Sequence, residues 1–135
     1  MVEIFLSYSR ADKNYIDTII DNLNLPSSRY NLWYYNPDFK LSMDEVLRKI
    51  LPASHLFILI VSNNSLNSLN VQEELTLAIE LTKKGQIKGL YPILIDSNIN
   101  IGLDRRIPQY IENRIYSANS PFEVAKLIEK IIKKY

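Results

Sequence analysis

Hydrophobic positions along the chain follow two periodicities. Four short runs are continuous in aliphatic, β-branched or aromatic residues and end in turn formers: VEIFLSY at 2–8, YNLWYY at 30–35, LFILIVS at 56–62 and IKGLYPILID at 87–96. Runs of this length and composition predict buried strands. Between them the apolar spacing lengthens to three or four residues. ADKNYIDTIIDNL sets Tyr15, Ile16, Ile19, Ile20 and Leu23 at helical spacing, with Asp12 in or near the first turn. SMDEVLRKIL repeats the pattern with Met43, Val46, Leu47, Ile50 and Leu51 behind a capping Ser42. VQEELTLAIELTKKG closes on lysines and a glycine, as helix C-termini do. SPFEVAKLIEKIIKKY opens with Ser120 and Pro121, a favoured cap and first-turn pair.

Strands alternating with helices of this length predict βαβ units, hence an α/β fold with a parallel sheet covered on both faces. NRIY at 113–116 is a candidate fifth, short edge strand, and 97–111 reads as irregular apart from a small helix near LDRRIPQYI. Open α/β sheets bind ligands outside the carboxyl ends of their strands. That rule selects SYSR after the first strand, NPDFKLS after the second, SNNSLNS after the third, and the loops after the fourth and fifth.

One residue breaks the polar and apolar pattern. In SLNVQEELTLA each residue turns about 100° from the last, so Val71, Leu75, Ala78 and Leu81 share one helix face while Gln72, Glu73, Thr76 and Glu80 share another. Glu74 falls between Ala78 and Leu81, inside the aliphatic arc. With Asn70 as the cap, Glu73 occupies the third helical position of a capping box and Glu74 the fourth. A plain account of Glu74 is a helix-end acid favoured by the macrodipole and bent toward water. A catalytic carboxylate is the sharper one.

Composition narrows the chemistry. At 135 residues the length suits one domain, and 47% hydrophobic with 23% charged residues is ordinary for a globular protein. A net charge of +1 provides no global field for nucleic acid. Cysteine is absent, which removes disulfides, thiolate nucleophiles and Cys-based zinc sites. His55, the single histidine, starts the third strand at the end opposite the ligand rim and reads as structural; no metal site is expected. MVEIFLSYSR lacks the basic-then-apolar pattern of a signal peptide, and HLFILIV is too short to cross a bilayer, so a cytoplasmic chain without a membrane partner is expected.

The three glycines, Gly85, Gly89 and Gly102, include none after the first strand, which rules out a P-loop and a G-x-G-x-x-G fingerprint. A phosphoacceptor receiver site needs acids where Ser7, Tyr8, Ser9, Ser62 and Asn63 stand. The second loop offers the rings of Tyr34, Tyr35 and Phe39, with Pro37, and the cation of Lys40; each also reads as local packing. Ser9 equally reads as a helix cap and Arg10 as a surface cation.

Together, IFLSYSRADK, LFILIVSNNSL and SLNVQEELTLA resemble the Toll/interleukin-1 receptor (TIR) domain family, bacterial NAD-consuming type, over nearly the whole chain. The resemblance implies a single domain over 1–135, alone or joined to a longer sensor protein, with a flavodoxin-like three-layer fold and a five-stranded parallel sheet flanked by helices. It implies Glu74 as the catalytic acid and NAD+ as substrate rather than cofactor. By the same resemblance Ser7, Tyr8, Ser9 and Arg10 line the nicotinamide and ribose side, Phe39 and Lys40 belong to the BB loop over the substrate, and Asn70 is a further substrate-binding position. Asn70 stands where the family carries a tryptophan, and the BB-loop glycine is missing, with Lys40 and Leu41 near its place.

A single acid suits the implied reaction. Nicotinamide in NAD+ carries a positive charge and departs neutral, so no general acid is needed, and an ionised glutamate near the ribose stabilises the oxocarbenium-like centre. The helix N-terminus is expected to keep that acid ionised against desolvation. The resemblance thus implies an NAD+ nucleosidase giving nicotinamide and ADP-ribose or a cyclic isomer, in anti-phage defence or signalling and switched by self-association through TIR–TIR contacts. The other expectation is a non-catalytic TIR adaptor in which Glu74 is dispensable and loop residues such as Phe39 control function.

Overall fold

The computed structural model describes residues 1–36 and 40–135. Five parallel strands, β1 (Val2–Ser7), β2 (Tyr30–Tyr34), β3 (Leu56–Val61), β4 (Gly89–Leu94) and β5 (Tyr116–Ser117), form one sheet in the order β2-β1-β3-β4-β5. The fold is the expected flavodoxin-like α/β arrangement. Strand β3 is buried at all six positions, which explains why LFILIV shows no alternation: both faces are covered by helices. Strand β2, at the sheet edge, buries only Tyr30, whose hydroxyl donates to the Ile132 carbonyl at 3.2 Å. The fifth strand is two exposed residues, displaced toward the C-terminus from the predicted NRIY.

The period-two geometry of the strands splits the core into two layers. Phe5, Phe57, Leu59 and Val61 face one side, where Val71, Leu75, Ala78 and Leu81 of α4 (Leu69–Lys83) cover them. Ile4, Leu6, Ile58 and Ile60 face the other, under Ile16 and Ile19 of α1 (Lys13–Asn22) and Val124, Ala125 and Ile128 of α6 (Pro121–Ile132). His55 sits at the N-terminal edge of the sheet, away from the ligand rim, where its Nδ1 accepts from the Glu3 amide at 2.9 Å.

Several local readings change. The stretch 42–51 is one α-turn, α2 (Met43–Glu45), with a Ser42–Glu45 capping box, continuing as a π-helical stretch over Val46–Ile50 and a 3-10 turn over Leu51–Ala53. Pro52 follows the widened turn; its ring would collide with the carbonyl four residues earlier in a regular α-helix. SNNSLNS contains a short helix, α3 (Asn63–Leu66), capped by Ser62, where sequence indicated only a loop. The small helix in the irregular region is α5 (Gln109–Glu112).

The cap of α4 is Ser68, whose Oγ accepts from the Val71 amide at 3.3 Å, and not Asn70. Helix α4 therefore starts two residues earlier than predicted, Glu73 forms no capping box, and Glu74 takes the sixth helical position rather than the fourth. Serine at 68 wins because its short hydroxyl side chain, on extended backbone, reaches the amide of the third helical residue. The helix ends as expected: Gly85 has φ +79°, and the Gly85 and Gln86 amides donate to the carbonyls of Thr82 and Leu81, a Schellman closure. Among the described residues no helix is long and apolar enough to cross a membrane.

Candidate functional site

A cavity of about 220 Å³ opens at the carboxyl ends of β1 and β2, between α2 and the first turns of α4. Its wall comprises Leu6, Tyr8, Ser9, Arg10, Trp33, Tyr35, Leu41, Met43, Val46, Ser68, Asn70 and Glu74. It lies one strand away from the β1/β3 switch point, where doubly wound sheets usually hold ligand. At that switch point the Asp12 carboxylate already accepts from Ser62 Oγ at 2.5 Å and from Asn64 Nδ2 at 2.8 Å.

Among the described residues Glu74 is the one charged residue with a buried side chain, at 7% exposure. Helical periodicity carries it onto the sheet-facing side of α4, beside Val71, Leu75 and Ala78. Ser7, at the end of β1, points to the same layer as Phe5 and donates its Oγ–H to Glu74 Oε1 at 2.7 Å. Oε2 accepts no hydrogen bond from the described residues, and Glu74 is part of the cavity wall.

Burial pushes the Glu74 carboxyl up to about 7, with a smaller push from neighbouring Glu73; the Ser7 hydrogen bond acts the other way. The helix N-terminus does not hold the acid firmly ionised as expected. Macrodipole effects fade beyond the first turn, and the Ser68 cap leaves Glu74 past it. The group is therefore balanced between acid and carboxylate near neutral pH.

The first loop frames the rest of the cavity. The Tyr8 hydroxyl donates to the Tyr35 carbonyl, tying the end of β1 to the end of β2. Its pKa rises to about 12, chiefly through burial and then through Asp17, so this phenol stays protonated as a donor. The Arg10 guanidinium lies 4.1 Å from the Tyr35 ring centroid and brings a cation to the rim. Ser9 accepts from the Ala11 amide at 3.3 Å and caps the 3-10 turn Arg10–Asp12 that leads into α1.

Of the residues singled out in the sequence, Tyr8, Ser9, Arg10, Asn70 and Glu74 meet around one cavity, and Ser7 stands behind Glu74. Asn70 is exposed on the rim and its side chain makes no hydrogen bond among the described residues. Lys40 is exposed and lines no part of this wall. Phe39 lies outside the described residues. Sequence reasoning missed Trp33, Leu41, Met43, Val46 and Ser68. Trp33 stacks on Phe5 at 4.6 Å between ring centroids, and its signal was the i, i+2 relation to Tyr35, which places both rings on one side of the β2 edge.

The arrangement pairs one buried carboxyl with an aromatic wall, a phenol held as donor and an arginine at the mouth. Such a site can accept a flat heterocycle and place a negative oxygen beside an electron-poor centre. No curated protein matched the chain significantly. The family profile described as TIR domain matches residues 4–129, a span that holds residues 4–7 of β1, all of β2 to β5, residues 121–129 of α6 and the whole cavity wall; the chain belongs to the TIR domain family.

Proposed function

We propose that the protein is an NAD+ nucleosidase that cleaves the nicotinamide–ribosyl bond, with Glu74 as its essential acid. The observation that carries this reading is the buried Glu74 carboxyl, held through Oε1 by Ser7 at 2.7 Å in the wall of the cavity at the carboxyl edge of the sheet. A cavity of about 220 Å³ suits the nicotinamide and its ribose but not a whole dinucleotide. Trp33 and Tyr35 offer faces to the pyridinium, and Arg10 suits the diphosphate that extends beyond the mouth.

The bond between ribose C1′ and the pyridinium nitrogen breaks with its electron pair moving to nitrogen, which neutralises the leaving nicotinamide. C1′ becomes oxocarbenium-like, and ionised Glu74 stabilises that charge and fixes the ribose hydroxyls. Water adds to C1′ and loses a proton to give ADP-ribose; attack by an adenine nitrogen instead gives a cyclic isomer. A bound pyridinium favours the charged carboxylate, so substrate itself draws Glu74 toward the active ionisation state. The setting that fits is cytoplasmic defence or signalling, with the domain alone or joined to a sensor and activated when copies assemble.

Concentrated or tethered protein incubated with NAD+ and resolved by chromatography tests the reading. Nicotinamide release that vanishes in Glu74→Gln, with folding intact by circular dichroism, is the expected result; release that persists in that variant overturns the role of Glu74. The second reading is a non-catalytic adaptor, favoured by exposed Asn70 where the family carries tryptophan and by Leu69 standing exposed beside it. No NAD+ loss by wild-type protein under crowding, with partner recruitment unchanged in Glu74→Gln, selects that reading.

A further inference from the structure

We propose that a second cavity, on the opposite flank of α4 from Glu74, binds a small organic carboxylate, its apolar body seated on an aliphatic floor and its carboxylate on Arg105. The cavity holds about 310 Å³ and shares no wall residue with the first. That volume falls at the small end of ligand pockets. The cavity is bounded by β3, α3, the first two turns of α4 and the loop that carries Arg105, Arg106 and Pro108.

Helical geometry gives the two flanks of α4 different chemistry. Val71 and Leu75 are buried against the sheet, and with buried Leu59 and Leu66 they make the floor of the second cavity. Thr76 lies about 100° past Leu75 on the helix wheel and Glu74 about 100° before it. Exposed Gln72 and Thr76 therefore form the polar lip of the second cavity, while the carboxyl of Glu74 goes to the first. One cavity has an acid in its wall, and the other has none.

The loop wall is held off α4 by Arg106. Its Nε and Nη2 donate to the Asp104 carboxylate at 2.9 and 2.6 Å, and Nη1 and Nη2 donate to the side-chain oxygens of Asn67 and Asn63 at 3.0 and 2.9 Å. This guanidinium is spent on the protein, and its charge is balanced by Asp104. Arg105 is different: it is exposed and makes no hydrogen bond or ion pair among the described residues. An uncommitted guanidinium beside an apolar space suits an anion with an apolar body, and its planar fork matches the two oxygens of a carboxylate. Gln72 donates one amide hydrogen to the Leu66 carbonyl at 2.8 Å, which leaves the other for the same ligand. The site stands independently of NAD+ chemistry.

Titration of 15N-labelled protein with phenylacetate, followed by amide chemical shifts, tests the proposal. Phenylacetate is expected to bind with a millimolar Kd, as suits so small a ligand, and to shift the amides of Leu66, Gln72 and Arg106. Neutral phenylacetamide, which lacks the charge, and inorganic phosphate, which lacks the apolar body, are each expected to bind at least about fivefold more weakly. Arg105→Gln is expected to weaken phenylacetate about tenfold, and Thr76→Phe, which fills the lip from an exposed position, to weaken it similarly without unfolding the chain. Overturning results are no shift at millimolar probe, shifts confined to Tyr8 and Asn70 of the first cavity, equal binding of either control, or wild-type affinity in Arg105→Gln. Glu74→Gln is expected to bind phenylacetate as wild type does, so loss of turnover and loss of this site are read separately.

Discussion

At the scale of single residues, Glu74 couples activity to stability through one proton. Its folded pKa of about 7 lies above the ordinary carboxyl value of 4.5 because burial penalises the charge. The folded state therefore holds its proton where the unfolded chain has released it. This contribution to stability is fully present below about pH 4.5 and is lost as pH rises to about 7, a swing of about 3 kcal/mol for this residue. Glu74→Gln should consequently raise stability by up to that amount at pH 8 and by much less at pH 5, as read by urea unfolding at the two pH values. Turnover follows the opposite sign: kcat/KM for NAD+ should climb with pH through about 7 and then level off, because the carboxylate is the working form. Ser7→Ala removes the donor at 2.7 Å that favours the charged form, so the midpoint of that profile should move upward.

At the scale of elements, α4 is set by its two ends. Ser68 caps it and Gly85 closes it in a left-handed conformation, so the phase of the helix, and with it the direction of Glu74, is fixed before any ligand arrives. Ser68→Ala should cost about 1 kcal/mol in thermal or chemical unfolding, with the Val71 amide left without its partner. The apolar spacing of Val71, Leu75, Ala78 and Leu81 was legible in the sequence, as was the intrusion of Glu74 among them. The cap was not, because Ser68 and Asn70 both have side chains suited to the task and only the backbone path decides between them. The π-helical stretch over Val46–Ile50 was equally hidden: its apolar residues satisfy helical periodicity whether the turn is α or π.

At the scale of the whole molecule, the cavity of about 220 Å³ has room for the nicotinamide and its ribose and not for a whole dinucleotide. If neighbouring copies border the cavity, NAD+ turnover per mole of protein should increase with protein concentration, which a dilution series followed by nicotinamide release measures directly. The order of hydrophobic runs and helical spacings, read alone, determined that this chain forms a parallel α/β sheet and that Glu74 stands out of pattern, because these depend on local periodicity and residue type; the likeness to TIR domains came from the motifs IFLSYSRADK, LFILIVSNNSL and SLNVQEELTLA. Only the tertiary structure decided that Ser7 holds the acid, that Trp33 and Met43 share its cavity, and that its charge is balanced near neutrality. Those facts depend on which distant segments exclude water from one another, and desolvation belongs to the packed assembly rather than to any single stretch of chain.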